Sequence, residues 1–262
     1  MVDLTLDTKI RISSDVIEDA LTQFKKPCIV WSGGKDSTVV LDLVINSCRK
    51  MQLPTPPVMF IDHGDHYKET YEMIDLYVNK WNLRLINARN EDFLSNIHDN
   101  KVKLSDLNEE NRAEAKKVGF SGDVIEYSLE TDVGNHLLKT VAMNRSIRKY
   151  DLEALFTGIR WDENEARGTE RYFSIRANPE HYRIHPILHF KERDIWDYMF
   201  KFHLPIHPKY KEGYRSIDGI HDSKKISDIP AWEQDLELTK ERAGRSQDKE
   251  GMMEKLRRLG YM

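Results

Sequence analysis

Pro27-Cys28-Ile29-Val30-Trp31-Ser32-Gly33-Gly34-Lys35-Asp36-Ser37-Thr38-Val39-Val40 passes from an apolar run through two glycines into residues at helical spacing. Residues 27–31 read as a short buried strand. The break at Ser32-Gly33-Gly34, followed by Val39, Val40, Leu43 and Val44, sets a strand, a tight loop and a helix in succession. Two glycines remove side chains, so backbone N–H groups can close around an anion. The helix start adds unpaired N–H groups and the positive end of its dipole. Ser32 and Ser37 contribute hydroxyls, and Lys35 contributes a charge on a flexible stem. The spacing is not that of the Walker A loop, which needs four residues between Gly and Gly-Lys. A turn that merely requires glycine and a cap is the plainer alternative. The strand–loop–helix context favours an anion cradle.

The same rhythm continues outward. Strands are expected at 57–61, 83–86, 154–157 and 182–188. Helices are expected at about 14–25 (capped by Ser13-Ser14-Asp15), 36–49, 67–81, 134–149 and 192–202. Strands alternating with helices predict an α/β fold, an open and mostly parallel sheet with helices on both faces. Residues 90–125 are polar and lack a clear period, which predicts a mobile insertion carrying short helices. From about residue 205, Pro205, Pro208, Gly213, Gly219 and Pro230 interrupt any long element. Short charged helices are expected at 231–243 and 249–259. The chain thus divides into an α/β domain, 1–204, and an irregular helical tail, 205–262, packed on that domain or on a partner.

Composition narrows the classes. A net charge of −4 and a pI near 6.2 supply no global basic field for nucleic acid or an anionic membrane. The two cysteines, Cys28 and Cys48, form no CxxC and no zinc-spaced cluster. Cys28 lies in an apolar run and is expected to be buried; Cys48 falls where a helix should be ending. No basic-then-apolar leader and no membrane-length apolar stretch is seen, so a cytoplasmic protein is expected.

Ser32–Ser37 resembles the SGGxDS loop of the PP-loop ATP pyrophosphatases. That resemblance implies a five-stranded adenine-nucleotide α-hydrolase-like domain, ATP bound with Mg²⁺, and cleavage between the α- and β-phosphates. Ser32, Gly33, Gly34, Lys35, Asp36 and Ser37 would then hold the pyrophosphate. Phe60-Ile61-Asp62-His63-Gly64 followed by Tyr67-Lys68-Glu69-Thr70 resembles the "DTG…PET" segment of the PAPS reductases and of the sulfate adenylyltransferase small subunit. It puts Asp62 against the adenosine, although on physics alone Asp62 serves equally well as a turn cap. Asn135–Thr140 resembles the helix that feeds a lysine, here Lys139, toward the site. The iron–sulfur reductases carry a Cys-Cys pair just before that helix. Gly134-Asn135 stands there in this chain, so no cluster is expected.

Thr157-Gly158-Ile159-Arg160-Trp161-Asp162-Glu163-Asn164-Glu165-Ala166-Arg167 resembles the "TGxRxxExxxR" signature of the sulfate-assimilation group. Arg160 and Arg167 can clamp an anion. Glu163 can orient Arg160 or, with Asp36, hold Mg²⁺. A surface segment laced with ion pairs such as Glu163–Arg167 is the alternative. His185-Pro186-Ile187 and 191–198 resemble a further family element, and His185 is given no role. The endings at 242–249 and 253–261 resemble the small subunit, whereas Tyr214–Gly219 departs from its "YRTLGC" by placing Asp218-Gly219 at Gly-Cys.

The thiol-dependent reductases need a cysteine near the C-terminus, and this chain has none beyond Cys48. The expectation is therefore adenylyl transfer from ATP to sulfate, with Lys35, Lys139, Arg160 and Arg167 as the catalytic cations. Asp62, Gly158 and Glu163 would lie against the nucleotide. The resemblance to the small subunit implies a GTPase large subunit as partner, and with no GxxxxGK[ST] in this chain that GTPase would be a separate protein; an oligomer is also allowed. An APS/PAPS reductase, adenylylation of another acceptor such as FMN, and a nucleotide sensor without turnover are the alternatives.

Overall fold

A computed structural model describes residues 4–163, 167–239 and 241. The expected helix at 249–259, most of the family-like ending and Asn164-Glu165-Ala166 lie outside the described residues.

The chain opens with α1 (Leu6–Gln23), earlier than the expected start at about 14. Thr5 is the cap, its hydroxyl accepting from the Thr8 N–H. Ser13, expected to cap the helix, sits inside it, and its hydroxyl donates to the Pro186 carbonyl at 2.8 Å. Two βα units follow, β1 (Pro27–Val30), α2 (Lys35–Met51), β2 (Val58–Asp62) and α3 (Lys68–Lys80), and then β3 (Leu85–Arg89). The chain re-enters the sheet at β6 (Ala154–Phe156) and adds the hairpin β7 (Phe173–Ala177) and β8 (Glu180–Ile184); α8 (Glu192–Lys201), the short α9 (Pro208–Lys211) and a 3-10 turn at Ala231–Glu233 follow among the described residues.

The strand order is β3-β2-β1-β6-β8-β7. The first five are parallel, as expected, and β7 adds an antiparallel sixth strand at the edge. Alternation along each strand explains why both faces are covered. Ile29, Val58, Phe60 and Phe156 point into the core formed with α1, α2, α3 and α8. Their neighbours Cys28, Met59 and Leu155 point the other way, onto Met143 and Ile147. Those two residues belong to α7 (Ala142–Tyr150), which continues a helix begun by α6 (Asp132–Asn135) and a π-helical turn, His136–Val141.

The polar insertion is a packed layer. Between β3 and α6 lie α4 (Glu91–Ser95), the antiparallel pair β4 (Lys101–Lys103) and β5 (Val124–Glu126), and α5 (Glu109–Lys117). Phe93, Val102, Leu107, Ala115, Val118 and Ile125 bury a second core against Val133, Leu137, Leu138 and Val141. Fully buried Asn90 pins it: its amide donates to the Leu137 carbonyl at 2.9 Å and to Asn111 at 3.0 Å, and its carbonyl accepts from Arg145 at 2.8 Å. Apolar residues scattered singly among charges left no period to read. No helix among the described residues is long and apolar enough to cross a membrane.

Candidate active site

The strand order reverses at β1, which pairs with β2 on one side and β6 on the other. In open parallel sheets the crevice beyond the carboxyl ends of the strands at such a switch is the binding position. The loops after β1, β2 and β6 meet there.

The loop after β1 is a glycine-opened turn into the start of α2. Gly33 sits at φ +75°, a conformation that side chains rarely adopt. Gly34 caps α2 with no side-chain hydrogen bond, and the first helical N–H, that of Lys35, donates to the Tyr210 hydroxyl at 2.9 Å. Ser37 Oγ accepts from the Ser32 N–H at 3.2 Å and donates to the Gly34 carbonyl at 3.0 Å; Thr38 Oγ1 donates to that same carbonyl at 2.8 Å. The Trp31 indole N–H donates to Thr38 Oγ1 at 3.0 Å, locking the loop to the core. From the other wing, Gly158 presses against the first turn of α2. A Cβ there would lie 2.8 Å from both the Asp36 carbonyl carbon and the Ser37 nitrogen, so only glycine fits.

The structure brings Lys35, Asp36, Arg160 and Glu163 together. The Lys35 side chain is 1% exposed. Its ammonium lies 3.4 Å from Asp36 and 3.8 Å from Glu192, donates to Glu241 at 2.5 Å and to the Arg215 carbonyl at 3.0 Å, and stands 5.5 Å from the Tyr210 ring centre. Arg160 is fully buried, donating to Asp162 at 2.8 Å and also to Asp36 and Glu241. Burial opposes both charges in the Arg160–Glu241 pair. Mutual attraction outweighs it, so the Arg160 pKa lies above its ordinary value and the Glu241 carboxyl is held far below the carboxylate range by Arg160 and Lys35.

The remaining expected residues are placed as follows. Arg167 pairs with Glu163, which also accepts the Arg160 N–H at 3.2 Å. Lys139 stands on the π-helical turn, a distortion frequent at functional sites, and donates to both Asp218 oxygens at 2.5 and 2.6 Å. Asp62 accepts from the Gly64 N–H at 2.9 Å, the Tyr71 hydroxyl at 2.8 Å and Arg89 at 2.5 Å. It therefore caps its turn while sitting at the strand end. Burial would raise its pKa, but these donors outweigh burial and lower it. Beside it the His63 and His66 rings stack at 3.6 Å. Burial, then His63, depresses the His66 pKa to about 3, so its Nε2–H donates to the Ile61 carbonyl at 3.0 Å as neutral imidazole.

Asp36 and Glu163, the expected magnesium ligands, both accept from Arg160. Both carboxylates engage cations, and no group of three His, Cys, Asp or Glu among the described residues is placed to hold a metal ion. Sequence reasoning missed Glu192, Tyr210, Arg215 and Glu241. Glu192 is 3% exposed and pairs with Arg215, itself 1% exposed, at 2.7 Å; the Tyr210 hydroxyl accepts the Lys35 backbone N–H at 2.9 Å. A carboxylate in the first turn of α8, beside the apolar Ile195 and Trp196, was the only available signal.

The fold is an adenine-nucleotide α-hydrolase-like α/β domain, with the Ser32–Ser37 loop at the switch point of the sheet. The chain belongs to the phosphoadenosine phosphosulfate reductase domain family, whose model matches residues 26–225. It is 28% identical over 225 residues to a sulfate adenylyltransferase subunit 2 of Brucella anthropi, covering 77% of this chain and 65% of that protein. It is 31% identical over 195 residues to a phosphoadenosine 5′-phosphosulfate reductase of Buchnera aphidicola, covering 74% of this chain and 69% of that protein. Among solved structures, the FMN adenylyltransferase of Candida glabrata in complex with ATP has the same fold, with a TM-score of 0.64 at 18% identity over 92% of this chain and 88% of that one.

Proposed function

We propose that this chain transfers the adenylyl group of ATP to sulfate, giving adenosine 5′-phosphosulfate and pyrophosphate. One observation carries the reading. Lys35 and Arg160 converge, buried, on a single carboxylate at the mouth of the Ser32–Ser37 loop, where a phosphate oxygen fits the same two donors. A sulfate oxygen attacks the α-phosphorus as the bond to the β-phosphate oxygen breaks. Sulfate is already deprotonated, so no general base is needed, and catalysis rests on alignment and charge neutralisation.

The loop amides and Lys35 take the leaving pyrophosphate. Arg160, Arg167 and Lys139 offset charge at the α-phosphate and on the incoming sulfate. Asp62 and Gly158 border the nucleotide. Magnesium would be held by the nucleotide's phosphates together with one or both of Asp36 and Glu163, and would offset charge on the leaving pyrophosphate. The Brucella relative's designation as a subunit supports a separate partner protein, and the resemblance to the small subunit makes that partner a GTPase.

The cysteines weigh against the reductase chemistry named for the Buchnera relative. Cys28 and Cys48 are buried, and burial pushes their thiols up to about 12 and about 11. A nucleophilic thiolate needs the opposite environment.

The test is pyrophosphate release from ATP and Mg²⁺ with and without sulfate, pulled by pyrophosphatase, with the candidate GTPase partner added in a parallel series. Sulfate-dependent release is expected, and Lys35→Ala lowers it by about 10²-fold, the usual cost of removing an oxyanion donor. Release that ignores sulfate in both series, or survives Lys35→Ala, overturns the reading.

A further inference from the structure

The cations assigned to the substrate are already engaged, and their partners come from one stretch of chain. Glu241 joins Lys35 to Arg160. Asp218 holds Lys139 with both oxygens and lies 3.4 Å from His63 Nε2. The Tyr210 hydroxyl takes the Lys35 backbone N–H, and the Arg215 carbonyl takes its ammonium. Side-chain and backbone donors of the loop therefore face segment 207–241.

That segment is docked firmly. Trp232 packs against Trp196 at 5.5 Å between ring centres. The Ile220 N–H donates to the Asp65 carbonyl at 2.8 Å, and the His221 N–H to the Asp65 carboxylate at 3.2 Å.

Charge then decides what ATP meets. Lys35, Arg160 and Arg215 stand against Asp36, Asp162, Glu192 and Glu241. Three positive and four negative groups leave a formal −1, and much of this cluster is buried. A triphosphate cannot enter such surroundings on favourable terms while every carboxylate stays, because like charges at low dielectric repel strongly. Asp36, Asp162 and Glu192 belong to the body of the domain, on α2, beside Arg160 and on α8. Glu241 and Asp218 belong to the tail segment.

We infer that segment 207–241 is an autoinhibitory strap whose carboxylates Glu241 and Asp218 occupy the phosphate positions, so that nucleotide binds only as Glu241 leaves Lys35 and Arg160. This rests on the proposed phosphate role of the Ser32–Ser37 loop and deepens it. Closure and phosphate binding compete for the same donors. The apparent affinity for ATP is therefore reduced by the fraction of molecules with the strap open, and anything that captures the strap raises it.

The experiment uses the full chain and inorganic pyrophosphate as the probe. Calorimetric affinity is compared for the wild type, Glu241→Gln and Asp218→Asn, and amide hydrogen exchange over 215–239 is followed with and without probe. Glu241→Gln keeps the shape and removes the charge. It is expected to bind pyrophosphate about tenfold more tightly or better, by the same population argument. Its ligand-free exchange over 215–239 is expected to match that of the wild type with pyrophosphate bound. Asp218→Asn gives a smaller gain, because Lys139 lies farther from the loop. Binding by Glu241→Gln that is equal to or weaker than wild type overturns the strap and makes Glu241 a positioning residue for Lys35. If pyrophosphate binds no variant, the adenylyl-transfer reading fails. Ligand-free exchange then decides the strap by itself: faster exchange in Glu241→Gln supports it, and unchanged exchange overturns it.

Discussion

Replacing Arg215 by methionine strips the guanidinium from a buried site. Arg215 donates to Glu192 at 3.2 and 2.7 Å from Nε and Nη2, to the Thr239 carbonyl at 3.1 Å and to the Thr239 hydroxyl. Both Arg215 and Glu192 are almost fully buried. Without Arg215, the nearest cation to Glu192 is Lys35, at 3.8 Å. Breaking a buried pair from one side costs about 3–5 kcal/mol, because the remaining charge is left uncompensated. Methionine retains most of the stem, so the loss reports charge rather than a cavity. For a chain of this size about 1 kcal/mol moves Tm by about 2–4 °C, and the expected fall is about 10 °C.

Thermal unfolding of Arg215→Met, Glu192→Met and the double variant closes the cycle. The double variant should recover most of the loss, since a buried pair replaced by packed apolar groups is often neutral. A Tm drop below about 2 °C in Arg215→Met, or additive losses in the double variant, would refute the claim that these two charges hold each other inside the fold.

Gly158→Ala forces a methyl into the first turn of α2, and about 1–3 kcal/mol of overpacking cost is expected together with loss of pyrophosphate binding; urea unfolding and calorimetry would show both, and unchanged binding would exclude the close approach. Acid should weaken the fold through His207, whose pKa is depressed to about 4 mainly by burial and whose Nδ1 accepts the Lys209 N–H at 3.3 Å. Because the folded pKa lies below the unfolded one, this contribution is complete above pH 6.5 and is lost as pH falls toward about 4. The urea midpoint should therefore drop from pH 7 to pH 5, and by less in His207→Asn. Cys28 and Cys48 should resist iodoacetamide at pH 8 in the native protein and react in urea, as read by mass spectrometry; rapid native labelling of Cys28 would contradict its burial.

The parallel sheet was legible because β1, β2 and β6 are dense apolar runs ended by glycine or a strand-end acid, as at Phe60-Ile61-Asp62. The edge strand β7 was not. Phe173, Ile175 and Ala177 alternate with Ser174 and Arg176, but charged loop residues precede them and Asn178-Pro179 reads as a break. The second core escaped for a related reason: α5 contributes Ala115 and little else that is apolar, so its burial depends on partners far along the chain. In the site, residues tied to a local motif were foreseeable, Lys35 and Arg160 among them. Glu241 and Arg215 were not, because a buried charge carries no pattern in one sequence. Its meaning comes from the groups it meets, here across 206 residues from Lys35 to Glu241.

The sheet order has a consequence for how the protein comes off the ribosome. The loop at 32–37 is made before the residues that enclose it, and β1, β2 and β3 can pair once residue 89 has emerged. Gly158 and Arg160, from the opposite wing, arrive some 120 residues later, and segment 207–241 later still. Until then the nascent chain carries the loop with neither Gly158 beside it nor Glu241 on Lys35. Domains fold as units as the chain lengthens, so the loop is enclosed only after those later residues have emerged.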